Sequence, residues 1–559
     1  MSGGHSPLTT AQRLGPGDVL RTGSTAEYRN VEIIDGEPHL VRAELGYEPD
    51  GGHEVGLRTW PPARVRSLLS LVHLTDLQLA DVQSPVRFEF LNGRFADPRY
   101  AEIVPVQRPQ EALTPHAVDA MLRTVNAAVA PATGAPVQLA VTTGDAIDNV
   151  QWNELQTFLA LFDGGRVRPN SGAPGYQGVQ ALEWPDDIFW KPDGVAATGP
   201  DLFRAAFGFP HWPGLLDRAL AEFSVPGLDV PWLSCFGNHE ALIQGVGVVT
   251  PAVRAALTGD VKPASLPPDF DDDRALEFFT LQPEMFFGGQ SVPITPDAAR
   301  RPVTRRDFVG AHFGPSARPA GHGFTERNRL DGTAYYAYDT PTVRLVALDT
   351  NCLAGGAAGC VDHEQAQWLA GTLAEVHSTY RGPAGEQIRT GNADRLVIVF
   401  SHHGTESLMH RLVGHVGPDG QPMLGGVDVV ALLHRFPNVV LWLNGHTHLN
   451  AARARPAPAG PGGFWEVTTS SIVDWPCQAR LVELTESAGQ LSIFCTMIDH
   501  HSPLAAESLR SGSDLAALHR ELASNVPLLG SASSRAGTPA DRNVELRLRP
   551  PFPLNRLAG

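Results

Sequence analysis

The feature that most constrains this chain is a series of short apolar runs, each ending in residues that bind metal ions. Residues 69–75 run into Asp76-Leu77-Gln78, residues 137–143 into Gly144-Asp145-Ala146-Ile147-Asp148, and residues 231–236 into Gly237-Asn238-His239-Glu240. Residues 395–401 end at His402-His403-Gly404, and residues 439–444 at Gly445-His446-Thr447-His448. Short apolar runs bounded by turn signals read as buried strands. In open α/β sheets, side chains at the carboxyl ends of such strands converge on one site.

The segments between these runs support an α/β chain. Thr114 and Pro115 read as N-cap and first helical residue, and Val118, Met121, Leu122, Val125 and Val129 recur at helical spacing, giving a β-α-β unit. A further strand is predicted at 343–349, then a helix from Asp362, capped by Asp362 with Gln365 and buried through Ala366, Leu369, Leu373 and Val376. After His448 come three β-rich stretches, 464–470, 479–484 and 491–497, with no helix between them, so the sheet is expected to be mixed and to close with antiparallel strands.

Residues 1–67 read as an N-terminal extension, 68–500 as the organised domain, and 501–559 as a C-terminal extension with one helical piece and a partly disordered end. Two Pro- and Gly-rich insertions, about 150–228 and 245–333, are too long to be structureless and are expected to fold over the site or as small subdomains. Trp152, Trp184, Trp190 and Trp212 of the first read as its own core rather than as a surface for stacking on an organic substrate.

Composition narrows the function. With 43 Lys plus Arg against 60 Asp plus Glu, the net charge is −17, which disfavours binding nucleic acid or an anionic membrane through a broad basic face. An anionic substrate then needs a locally positive site, which bound divalent cations supply. Five cysteines without a CxxC pair exclude a zinc module; Cys352 and Cys360 are close enough to close one loop, but reduced thiols are expected. No stretch reaches the roughly 18 uninterrupted apolar residues of a membrane span. No secretory signal is visible at the N-terminus, so a cytoplasmic location is expected.

The ligand types state the chemistry. Asp145, after a strand and a glycine, is placed where a carboxylate can bridge two ions; Asn238 offers an amide oxygen, and His446 with His448 two imidazoles from one turn. Hard oxygen with some nitrogen suits Mn²⁺ first, with Fe, Zn²⁺ or Mg²⁺ as alternatives. Two ions about 3.5–4 Å apart clamp a phosphoryl oxygen and hold a hydroxide for in-line attack. His239 can then protonate the leaving oxygen as general acid. Asp148 either supports the site by hydrogen bonding or caps a turn. Of Arg87, Arg94 and Arg99, which could grip a phosphate, at least two are expected on the surface.

These motifs, in this order, resemble the calcineurin-like metallophosphoesterase superfamily, whose pattern is Asp-x-His, Gly-Asp-x-x-Asp, Gly-Asn-His-Asp/Glu, a lone His and Gly-His-x-His. The resemblance covers about 69–498 and implies a four-layer α/β/β/α sandwich with a dinuclear site at the strand ends. It assigns Asp76, Asp145 and His448 to a first metal and Asp145, Asn238, His402 and His446 to a second, with His239 as the catalytic acid. The segment TDLQLADVQSPVRFEF and the long insertions resemble an actinobacterial-type subgroup, many of whose members carry twin-arginine export signals; none is visible here.

The departure is Gln78, where the pattern has His. An amide oxygen is the weaker ligand for a transition metal, so the first site binds loosely, prefers Mn²⁺ or Mg²⁺, or recruits Asp81. His73 is out of register with Asp76 and reads as a packed residue. The lone His is either His402 or His403, the family pattern favouring His402. The expected activity is hydrolysis of a small-molecule phosphate monoester or diester. The alternative is a catalytically weak scaffold that binds a protein or nucleotide, supported only by Gln78 and the insertions.

Overall fold

Four strands open the first of two large sheets: β1 (Leu40–Leu45), β2 (Arg66–Leu74), β3 (Leu139–Thr142) and β4 (Trp232–Leu233). The next six, β5 (Tyr336–Asp339), β6 (Val343–Leu348), β7 (Leu396–Ser401), β8 (Val439–Asn444), β9 (Ala451–Pro456) and β10 (Gly463–Thr468), build the second. The chain then returns to the first sheet with β11 (Gln478–Ser487), β12 (Gln490–Asp499) and β13 (Val544–Leu548). The strand orders are β1-β13-β12-β11-β2-β3-β4 and β5-β6-β7-β8-β10-β9. This computed structural model describes residues 5–45, 65–409, 416–417, 420–458, 462–527 and 535–557.

Both sheets are mixed. β2, β3 and β4 run parallel, as do β6, β7, β8 and β10, while β11 joins antiparallel to β2 and β12 antiparallel to β11. The parallel strands therefore present their carboxyl ends together, and the predicted ligand segments follow those ends. β1 and β13 pair with each other in parallel, so segments near the two chain ends complete the seven-stranded sheet.

The period-2 pleat of β7 decides which layer each side chain joins. Leu396, Ile398 and Phe400 enter a core shared with Leu71, Leu481 and Ile493 of the other sheet. Val397 and Val399 face the opposite way, into a second cluster with Leu369 and Leu373 of α4 (His363–Ala374) and Val429 and Leu433 of α5 (Gly426–Leu433). Burial on both faces is why β7 and β8 read as unbroken apolar runs rather than alternating ones. α1 (Thr114–Ala127) and α2 (Trp152–Asp163) add Met121, Leu122, Phe158 and Leu161 to the shared core.

Most predicted elements form, with local corrections. Thr114 lies inside α1 rather than capping it, because a 3-10 turn over Glu111–Leu113 feeds directly into the helix and the Thr114 hydroxyl faces His519 at 3.3 Å. The strand expected at 231–236 is ordered as a ladder only over Trp232–Leu233. Trp232 and Ser234 donate their N–H groups to loop carbonyls of Arg318 and His322 at 3.0 and 2.9 Å. The strand β9 forms in addition to the predicted ones. α4 begins after Asp362, whose side chain accepts from the Gln365 N–H at 2.7 Å, as expected.

The insertions pack against the body through their own apolar clusters. Val86, Phe88 and Phe90, which follow β2, join Val150, Ile243, Val253 and Phe279 in one cluster, where α3 (Ala275–Leu281) sits. Trp184 and Trp190 are buried, Trp190 donating to the Pro210 carbonyl at 2.9 Å; Trp152 lies under the Arg301 guanidinium at 4.2 Å, and Trp212 packs half-buried near Trp190. The five cysteines are free thiols, and no helix among the described residues is long and apolar enough to cross a membrane.

Candidate metal centre

Sharp turns place the polar segments after their strands. Asp76, Gln78, Asp145, His446 and His448 all adopt the left-handed backbone region, at φ of 51°, 43°, 50°, 67° and 55°. A non-glycine residue held there costs on the order of 1–3 kcal/mol, and such residues cluster where a side chain must be aimed. The glycines of the motifs serve close approach: a Cβ on Gly445 would collide with the Thr75 hydroxyl and the Asp76 carboxylate, and one on Gly237 with the Asp145 carboxylate.

Glu240 clamps two of these turns together. Its Oε1 accepts the N–H groups of Ala146 and Ile147 at 2.7 and 3.1 Å, and its Oε2 those of Asp145 and Gly237 at 2.9 and 2.6 Å. Burial, then the neighbouring Asp145 carboxylate, push the Glu240 carboxyl up to about 8, against the pull of four donors that leave no room for a proton on either oxygen.

Two nests of donor atoms result. In one, the Asp76 Oδ1 lies 3.2 Å from His448 Nε2. The other His448 nitrogen, Nδ1, donates to the Asp474 carboxylate at 2.5 Å, which leaves Nε2 facing Asp76. Asp76 Oδ1 is buried and, although close to that imidazole, has no hydrogen-bond partner. In the other nest, His402 Nε2 is 3.0 Å from Asp145 Oδ2 and 3.2 Å from His446 Nδ1, which is itself 3.2 Å from Asn238 Oδ1. The His402 Nδ1 donates to the Thr143 carbonyl at 2.8 Å, fixing its Nε2 toward Asp145. Asp76, Asp145 and His402 offer ligand atoms within 4.8 Å of one another, which joins the nests into one group that could hold metal.

The electrostatics ask for positive charge. Burial opposes charging His402, but the Asp145 and Asp76 carboxylates overcome it and raise the imidazole to about 9. His446 is depressed to about 3 by burial and by the His402 charge beside it. His448 is raised: burial acts against it and Asp76 and Asp474 outweigh burial. Without a cation, a proton on His402 stands in for one.

Gln78 sits beside His239 rather than apart from the centre. The His239 Nδ1 lies 2.6 Å from the Asp148 carbonyl and must donate to it, so Nε2 accepts, here from the Gln78 amide nitrogen at 3.2 Å. That orientation leaves Gln78 Oε1 buried without a partner. His239 Nε2 is also 3.8 Å from Asp145 Oδ2, and its side chain is 15% exposed.

Other candidates fall on one side or the other. Both nitrogens of His403 are taken, by Thr350 at 2.9 Å and the Ala357 carbonyl at 3.0 Å, whereas His402 aims Nε2 at Asp145. His73 likewise holds Thr143 and Thr469, each at 2.8 Å, and is a packed residue. Asp81 is no substitute ligand: Arg300, Ser171 and Asn153 hold it at 3.0, 2.7 and 2.8 Å. The Asp148 carboxylate meets Arg87 at 3.1 Å, and Arg87 continues to Glu111 at 2.8 Å, all buried. Arg94 and Arg99 are exposed.

Asp474 and the structural part of Glu240 were not found from the sequence. Asp474 receives Arg108 and Arg535, each at 2.6 Å, besides His448. Its segment has no spacing that marks it, whereas Glu240, already inside Gly-Asn-His-Glu, could have been singled out as the acceptor for the preceding turn.

No family model matches the sequence, and no match is found among curated proteins. Among solved structures, the chain is similar to a dimetal phosphatase from Danio rerio at 11% identity, over 78% of this chain and all of that one, with a TM-score of 0.32.

Proposed function

We propose that this protein hydrolyses phosphate esters with two divalent cations at the ends of β2, β3, β4, β7 and β8. The observation that carries the proposal is the set of mutually facing donor atoms around Asp145, with the orphaned, buried Asp76 Oδ1 and Gln78 Oε1 at its border. Lone pairs 3.0–3.2 Å apart in a buried pocket repel unless a proton or a cation lies between them. The residues therefore fit a metal pair. Asp76, Gln78, Asp145 and His448 would hold one ion, and Asp145, Asn238, His402 and His446 the other.

The mixture of carboxylate, amide and imidazole suits Mn²⁺, with Fe, Zn²⁺ or Mg²⁺ as alternatives. When bound, such ions neutralise phosphoryl oxygens and acidify water. The chain supplies the rest. His239 is a partly exposed imidazole of the centre; its Nδ1–H is fixed by the Asp148 carbonyl, so Nε2 is the atom free to face an incoming ester. A proton on Nε2 would pass to the leaving oxygen. The arrangement of the parallel strands and outer helices supports a four-layer α/β/β/α sandwich.

The test is hydrolysis of bis-p-nitrophenyl phosphate and p-nitrophenyl phosphate by metal-stripped protein titrated with Mn²⁺. Metal-dependent turnover is expected, lowered in His239→Ala at unchanged metal content and lost with the metal in Asp145→Asn. Failure to cleave either ester with both ions bound would overturn the proposal.

A further inference from the structure

Beside the candidate centre lies a cavity of about 580 Å³ that shares His446 with it. One wall is α3, through Leu276, Thr280 and Leu281; Val246 and Met409 add further apolar surface, and residues 355–358 complete it. Gly355 permits this fit, since at φ +97° a Cβ there would press on Thr280. The Gly356 N–H donates to the Val246 carbonyl at 2.8 Å, tying that loop to the second insertion. Leu281 and Met409 are 39% and 50% exposed, so apolar side chains of this cavity stand open to solvent beside His446.

The charged lining is of one sign. Glu102, Glu277 and Glu406 border the cavity, and among the described residues no lysine or arginine does. Glu277 and Glu406 pair with Arg274 and Arg453 at 2.6 and 3.0 Å, but those guanidinium groups lie outside the lining. Among the described lining residues the further phosphates of a nucleotide have no cationic partner, and an acidic peptide would face three carboxylates. An aliphatic chain would cover the exposed Leu281 and Met409.

We infer that this cavity receives the organic group of the ester, and that the group is aliphatic and carries no negative charge beyond the phosphate. The inference rests on the phosphoesterase reading, because His446 is what places the cavity next to the reacting phosphorus.

Calorimetry on the Mn²⁺-loaded protein tests it without turnover, using inorganic phosphate and methyl-, butyl- and hexylphosphonate. Each buried methylene strengthens binding about three- to fourfold, so hexylphosphonate is expected to bind at least about tenfold more tightly than methylphosphonate, allowing for an open cavity. In Leu281→Asp and Met409→Asp the ratio of hexyl to methyl affinity should fall toward one. Thymidine monophosphate should bind no better than methylphosphonate. Equal affinity across the alkyl series, a ratio unmoved in both variants, or tighter binding of thymidine monophosphate overturns the assignment of the cavity alone. Absence of phosphate binding at full metal loading removes the phosphoesterase reading, and the inference with it.

Discussion

Replacing Glu240 by Gln changes one oxygen of a buried clamp into an amide nitrogen and little else. In the native protein each oxygen accepts two backbone N–H groups, from Ala146 and Ile147 on one side and Asp145 and Gly237 on the other. Whichever way the amide sits, two buried N–H donors then face a donor. A buried donor deprived of its acceptor costs about 1–3 kcal/mol, so the turn that aims Asp145 should lose about 2–4 kcal/mol once some relaxation is allowed. A chain of this size is not expected to unfold in one step, so a global midpoint is the wrong readout. Local opening is the right one. Hydrogen exchange followed by mass spectrometry over peptides spanning 139–150 should accelerate by about 30- to 1,000-fold, since each 1.4 kcal/mol is a factor of ten. Peptides from α4 should be unaffected. Exchange within threefold of the native rate at 139–150 would refute the clamp, because it would mean that those N–H groups have other partners.

Three further outcomes follow from the same geometry. Metal uptake should strengthen with pH up to about 9, because His402 is raised to about 9 and must shed its proton to bind; the apparent affinity should change about tenfold per unit below that pH, read by titration of stripped protein in buffered Mn²⁺. By the same sign, the proton on His402 stabilises the metal-free fold fully below the free-imidazole value of about 6.5, and this contribution is lost as pH rises through about 9. Asp474→Asn removes the carboxylate that fixes the His448 tautomer and should weaken metal binding by about 10- to 100-fold, measured by competition with a chelator. Gly445→Ala drives a methyl group into Thr75 and Asp76 and should lower bound metal from two equivalents toward one by elemental analysis; full retention of both would show that the turn tolerates the extra atom.

The sequence by itself determined the strands that matter, because a strand buried on both faces is a continuous apolar run and its end is marked by a turn. Residues 439–444 were legible as a strand to the residue for this reason, and the motif segments after β2, β3, β7 and β8 were legible because Gly, Asp, Asn and His follow those runs directly. Local chemistry also gave the Asp362 cap. Only the tertiary structure decided the rest, since it depends on contacts between residues far apart in the chain. That both nitrogens of His403 are held by Thr350 and Ala357 while His402 faces Asp145 is such a long-range outcome. Gln78 was placed on His239 by the Asp148 carbonyl, which fixes the imidazole tautomer from the other side. Asp474 reaches His448 from 26 residues further along, in a segment with no signature of its own, and β1 meets β13 from the far end of the chain. A pattern in one dimension reports periodicity and turn chemistry; it does not report which donor atoms face each other across the ends of different strands.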